Sequence, residues 1–176
     1  MCQQGGSWNL SKGNILLIAQ NFYPEIGSAG NRMKNIYQML RKDGFEVTIL
    51  TNEPSYPNKK MYEDEKFWDD PQLNEDPHIH RVNVRNRKYS SSMANRLLYY
   101  LEMTLKMILF VLGDRNKYSN VFVTSPPIFI GLVGIIAKFR YKAKLVLDIR
   151  DLWPESLKGV GVFNNRLIIW TAARFE

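Results

Sequence analysis

NILLIAQNFYPEIGSAGNRMKNIYQMLRKDGFEVTILT, residues 14–51, decides the fold. NILLIAQ (14–20) is a short apolar run that stops at a Pro/Gly-rich loop, which predicts a buried strand. In NRMKNIYQMLRKDG that follows, Met33, Ile36, Tyr37 and Leu40 recur at helical spacing, and Gly44 supplies a helix stop. EVTILT (46–51) predicts a second strand. The same alternation continues with HRVNV (80–84), a helix over 95–112, NVFVTSP (120–126), the helical PIFIGLVGIIAKFRY and KLVLDI (144–149). A last helix is predicted from about Asn164 to Glu176. Strands that alternate with helices, each strand a nearly continuous apolar run, predict a parallel sheet covered on both faces. The fold class is therefore α/β, a doubly wound, Rossmann-like sheet. Such sheets bind ligands just outside the carboxyl ends of their strands, so the loops that leave the strands carry the candidate site.

The composition bounds the partners. At 176 residues with 45% hydrophobic and 23% charged residues, the chain has the make-up of a folded domain without low complexity or repeats. MCQQGGSWNLSKG (1–13) reads as a flexible tail and lacks the apolar core of a secretory signal. Cys2 stands alone, so an internal disulfide is excluded, and with only His78 and His80 it makes no zinc site. A reducing, cytoplasmic setting follows. The net charge of +7 is unevenly spread: 59–76 is acidic, whereas 81–96 holds Arg81, Arg85, Arg87, Lys88 and Arg96 without an acid. A second basic cluster is Lys138, Arg140, Lys142 and Lys144. Such patches concentrate anionic partners or serve as solvated faces. The helix over 95–112 is broken by Glu102 and Lys106 and is too short to span a bilayer. It is expected to dock on the sheet; a membrane-surface helix is the alternative.

Three strand-end loops carry chemistry. QNFYPEIGSAGNR (20–32) contains Gly27 and Gly30 but no G-x-G-x-x-G fingerprint, which counts against a nicotinamide enzyme. Its glycines either admit a phosphate or sugar to the backbone beside the positive end of the next helix, or meet the backbone angles of a turn. In TSPPIF (124–129), Ser125 and Pro127 fit a helix cap and first helical position. In DIRDLWPES (148–156), Leu145, Leu147 and Ile149 are predicted to face one side of the sheet, and Val146, Asp148 and Arg150 the other. Asp148 is expected in a structural network with Arg150 or the backbone, because a buried unpaired carboxylate is costly. Asp151, one step past the strand, is freer to accept hydrogen bonds from a ligand hydroxyl. The segment 52–78 is long for a loop in a compact domain, which points to function or mobility.

YPEIGSAGNRMKNIYQMLRKDGFEVTILTNEPSYP, VFVTSPPIFIGLVG and KLVLDIRDLWPES, in that order, resemble the N-terminal half of GT-B glycosyltransferases. The resemblance is to the retaining family-4 type, particularly bacterial enzymes of capsule, colanic-acid and O-antigen assembly, and runs over 14–176. It implies two facing Rossmann domains with the active site between them, the N-terminal one holding the acceptor and the C-terminal one the nucleotide-sugar donor. It implies a donor-phosphate loop at Gly27, Ser28 and Gly30, acceptor- or sugar-side roles for Glu25, Arg150 and Ser125, and catalysis near Asp151. No metal and no cofactor are implied; the nucleotide-sugar is a substrate. The expected acceptor is lipid-linked or a glycan, with no nucleic acid partner. Arg81, Arg85, Arg87, Lys88 and Arg96 are then an anionic-surface patch at the inner face of the cell membrane. Two domains of ordinary size need a chain about twice as long. The expectation is an acceptor-side domain without its donor-binding partner, inactive alone and prone to self-association. A non-catalytic interaction module with the same fold is the second reading.

Overall fold

The computed structural model describes residues 12–85, 93–125 and 128–150. Five parallel strands form one sheet: β1 (Asn14–Ile18), β2 (Glu46–Asn52), β3 (Ile79–Val82), β4 (Asn120–Thr124) and β5 (Lys144–Asp148), in the order β3-β2-β1-β4-β5. The helices are α1 (Ser28–Lys42), the single turn α2 (Pro71–Asn74), α3 (Met93–Gly113) and α4 (Ile128–Tyr141). The doubly wound α/β architecture expected from the alternation of runs is thus present, and the strand order reverses at β1. That reversal opens a crevice beyond the carboxyl ends of β1 and β4.

Each face of the sheet has its own core. Ile15, Leu17, Ala19, Val47 and Ile49 pack against Met33 and Tyr37 of α1. Leu16, Ile18, Leu50, Val121 and Val123 pack against Met103, Met107 and Val111 of α3 and Ile130, Val133 and Ala137 of α4. Because helices cover both faces, β1 is apolar at consecutive positions rather than alternating. Burying each such Leu or Ile contributes about 1.5–3 kcal/mol, and a one-residue register slip would exchange the two sets.

α1 ends as its sequence predicts. Asp43 is the C-cap and Gly44 follows at φ 89°. The Gly44 N–H donates to Arg41 O and the Phe45 N–H to Leu40 O, both at 3.0 Å. This is the Schellman pattern, with Phe45 and Leu40 packed on the same core.

The segment 52–78 is built rather than loose. It forms two 3₁₀ turns, Lys59–Glu63 and Glu65–Phe67, and then α2, with Tyr62 and Leu73 buried. Asn58, Asp64 and Asp70 accept from backbone N–H groups at the starts of these elements. Its length reflects a packed cover over the α1 side of the sheet.

Candidate functional site

At the crevice, β1 hands over to a loop that ends at Gly27, the N-cap of α1, with φ 139° and ψ 163°. Only glycine enters that region freely. Gly27 offers no capping side chain and no acid lies in the first turn of α1, so the positive helix end faces the sheet edge. Ser28 is exposed beside them, and Gly30 is buried. A Cβ on Gly30 would stand 2.6 Å from the Glu25 carbonyl oxygen. The first turn of α1 therefore rests directly on the loop backbone.

The next turn of α1 carries Arg32, which the sequence reading did not single out. Its guanidinium grips Asp148 at the end of β5, with Nη1 2.7 Å from Oδ2 and Nη2 donating to Oδ1 at 2.9 Å. Thr124 Oγ1 donates to the same carboxylate at 3.1 Å, and the Ser125 N–H donates to the Asp148 carbonyl at 3.0 Å. Asp148 is structural, as expected, but its hydrogen-bonded partner is Arg32, and Arg150 acts on it through charge alone among the interactions described. The reason is the pleat: Asp148 points to the α1 face, as the predicted alternation requires, and there meets the helix 116 residues earlier in sequence. A cation near the positive end of a helix is poorly placed unless an acid answers it, and that was the available signal. The pair joins the glycine loop to β4 and β5.

The Arg32 hydrogen bond, helped by Thr124, holds the Asp148 carboxyl below its ordinary range despite partial burial. A carboxyl depressed in the folded state contributes stability that is complete above its unfolded pKa and is lost as pH falls through the folded value. The Arg32 and Asp148 side chains are 40% and 20% exposed, so solvent screening limits the pair to about 1–2 kcal/mol. Asp148→Asn is expected to lower the melting temperature at neutral pH and to flatten the loss of stability below about pH 4. Parallel wild-type and mutant melting curves across the acid range would refute the assignment.

On the α3 side of the same edge lies a neutral polar cluster. Asn52 Nδ2 donates to the Tyr99 hydroxyl at 2.7 Å; on the opposite face of β2, Thr51 Oγ1 donates to the Gln20 main-chain carbonyl at 3.3 Å. Burial pushes the Tyr99 phenol up to about 12. Gln20 lies beside Tyr99, yet Gln20 Nε2 and Asn52 Oδ1 are buried without a hydrogen-bond partner among the described residues. Buried polar atoms of this kind call for a partner. Glu25 is only 3% exposed and close enough to raise both the Tyr99 and Tyr62 phenols beyond the effect of their burial. It thus lies at the crest of the sheet between the two flanks.

The 52–78 cover fixes the loop from outside. The Ile26 N–H donates to Tyr62 Oη at 2.9 Å, and that hydroxyl donates to the Tyr56 carbonyl. The Asp70 N–H donates to Tyr23 Oη at 2.7 Å, and Trp68 packs edge-on against the Tyr23 ring. Arg81 belongs to this arrangement: Nη2 donates to the Tyr23 carbonyl at 3.0 Å and the guanidinium stacks over Trp68. Arg81 is therefore half-buried on the α1 face and is not part of an exposed patch beside α3.

Of the other expected residues, Ser125 sits at the end of β4 beside the crevice and Arg150 is exposed two residues past Asp148. Arg85 follows β3, its N–H held by the Glu102 carboxylate, and Arg96 is exposed on the first turn of α3. Asp151, Arg87, Lys88, Pro126, Pro127 and the predicted last helix lie outside the described residues. His80 packs on Phe110 of α3, and burial lowers its pKa. Among the described residues no three His, Cys, Asp or Glu side chains converge.

Fold and edge together define a doubly wound domain with an uncapped helix terminus and a glycine loop at its switch point. Residues 27–176 match the glycosyl transferase 4-like domain, and the chain belongs to that family. No curated protein matches it significantly. Among solved structures it is similar to the C-terminal domain, residues 78–226, of a hydrogenase from Pyrococcus furiosus. That likeness has a TM-score of 0.51 and 18% identity over 77% of this chain and 91% of the other. A shorter piece of that protein, residues 83–215, gives a TM-score of 0.49 at 19% identity over 77% and 90%. At such identity the first likeness extends to the fold alone.

Proposed function

We propose that this domain is the acceptor side of a retaining, two-domain glycosyltransferase that moves a sugar from a nucleotide-sugar to a lipid-linked acceptor in surface polysaccharide synthesis. Membership of the glycosyl transferase 4-like family supports the transferase class. The observation that carries the finer reading is the two-sided edge. On one flank, Gly27 leaves the positive end of α1 without a capping side chain, suited to a diphosphate. On the other, the Gln20 amide and the Asn52 side-chain carbonyl, unpartnered among the described residues and with Tyr99 beside them, are neutral groups suited to sugar hydroxyls. Glu25, Arg150 and Ser125 stand between or beside these flanks, and Asp151 is the residue after Arg150 in sequence. In this reading the partner domain supplies the remaining donor contacts, and metal and cofactor have no part.

Those few contacts face the full cost of immobilising a donor. Titrating the chain with common nucleotide-sugars should therefore give dissociation constants in the millimolar range or weaker, about −4 kcal/mol. The largest amide shifts in nuclear magnetic resonance spectra should fall on Ser28, Ala29 and Gly30. Saturable binding without shifts there would remove the loop from the site. Micromolar binding would put the donor site within this chain and overturn the acceptor-side assignment.

A further inference from the structure

The outward face of α3 is a surface of unusual composition. Its inward side is spent on the core, where Met103, Met107 and Val111 are buried. Its outward side exposes Leu97, Leu98, Leu101, Leu105, Leu109 and Leu112, each about half accessible. At 100° per residue these six leucines occupy an arc of about 120° on the helix, and the stripe is about 22 Å long. α4 packs alongside and adds Leu132, Ile135 and Phe139, also exposed. Among the described residues no helix is long and apolar enough to cross a membrane.

The rim of this surface is cationic. Where α3 and α4 end together, joined by the Tyr118–Tyr141 ring contact and by Arg140 donating to the Asp114 carbonyl, the exposed side chains are Arg115, Lys117, Lys138, Arg140 and Lys142. The nearby acid Asp114 is already engaged by the Tyr118 and Tyr141 hydroxyls. At the other end of the stripe stands Arg96. Within α3, Glu102 is paired with Lys106 at 2.7 Å and held against the Arg85 backbone.

We propose that the outer face of α3 and α4 docks flat on an anionic lipid bilayer, its leucines entering the headgroup boundary and its basic rim meeting the lipid charge. Charge selects this occupant. A second copy of a chain with net charge +7 would bring like-charged rims together, whereas an anionic bilayer answers both parts of the surface at once. The geometry is that of an interfacial helix, shallowly buried along its length. The face lies across the sheet from α1 and Arg81, so of the basic run 81–96 read in sequence the docking surface keeps Arg96 and leaves out Arg81. It stands independently of the sugar-transfer reading, because it concerns another part of the fold.

The test is partition of the full chain onto vesicles of phosphatidylcholine with and without phosphatidylglycerol. Binding is expected to the anionic vesicles and to weaken with salt. Leu101→Ser/Leu105→Ser/Leu109→Ser should cost about tenfold or more in partition, and Lys117→Ala/Lys138→Ala should reduce it and flatten its salt dependence. Met39→Ser, which alters an exposed apolar side chain of α1 on the opposite face, should change nothing. Circular dichroism and melting curves check that each variant folds. A fluorophore on Leu105→Cys, in a Cys2→Ser background, should be water-exposed in buffer and shielded on vesicles. Wild-type protein that ignores anionic vesicles would overturn the proposal, as would a folded triple variant that binds normally. A label already shielded in buffer would assign the face to the chain itself. A dimer in sedimentation equilibrium that the leucine variant dissociates, without vesicle binding, would assign it to a second copy.

Discussion

Gly30→Val should lower the melting temperature by about 6–12 °C, corresponding to about 3 kcal/mol of over-packing. The cause is local and rigid. A Cβ at this position would lie 2.6 Å from the Glu25 carbonyl oxygen and 3.6 Å from the Phe22 carbonyl carbon, both backbone atoms. Neither side can retreat cheaply. The loop is closed by the Glu25 N–H bond to the Phe22 carbonyl at 2.9 Å and held by Tyr62 through Ile26. The helix is held by the Arg32–Asp148 pair. Gly30→Ala already introduces the clash, and Val adds the crowding of a branched side chain in a helix, so the loss should grow from Ala to Val. Thermal melts of the two variants measure it. A Gly30→Val protein as stable as wild type would mean that the helix and loop do not approach this closely.

Gly27→Val should cost about 1–3 kcal/mol of stability and abolish the weak nucleotide-sugar binding, but for a different reason. Nothing lies within 4 Å of a Cβ placed there, so volume is not the obstacle. The obstacle is the backbone at φ 139°, ψ 163°, which a side chain disfavours whatever the space. The sequence left this glycine two readings, ligand approach or the backbone angles of a turn; the dihedral angles require the second, so the fold shares the loss. Relaxation to ordinary angles would turn the first N–H groups of α1 away from the sheet edge. Gly27→Ala should already show most of the effect, unlike position 30, where size matters. Melting curves with nucleotide-sugar titration separate the two losses. Unchanged stability with lost binding would mean that the loop relaxes freely, and unchanged binding would remove Gly27 from the site.

Much of the architecture was legible because it depends on local pattern. Continuous apolar runs such as NILLIAQ and EVTILT predicted buried parallel strands, and β1 and β2 lie there within two residues. The Pro/Gly loop, the start of α1 near it and the stop at Gly44 follow from backbone preferences of single residues. The alternation that put Asp148 and Leu147 on opposite faces holds, since a strand's period of two needs no distant information. Less of the site was legible. Arg32 and Asp148, or Asn52 and Tyr99, are brought together only by strand order, and nothing in either neighbourhood names the partner.

The sequence by itself determined the doubly wound sheet, the glycine loop at its carboxyl edge and the family resemblance, because periodicity, turn chemistry and short motifs are properties of neighbouring residues. Tertiary structure alone decided that Arg81 turns under Trp68 to brace the loop, that 52–78 is a packed cover, and that Arg32 answers Asp148. It also decided which side of α3 is core. The helix is apolar almost all round, so its sequence fits either face inward. Docking against β3 and α4 buries the methionines and Val111 and leaves the leucines outside. Side selection on such a helix is a matter of long-range packing, which no local pattern encodes.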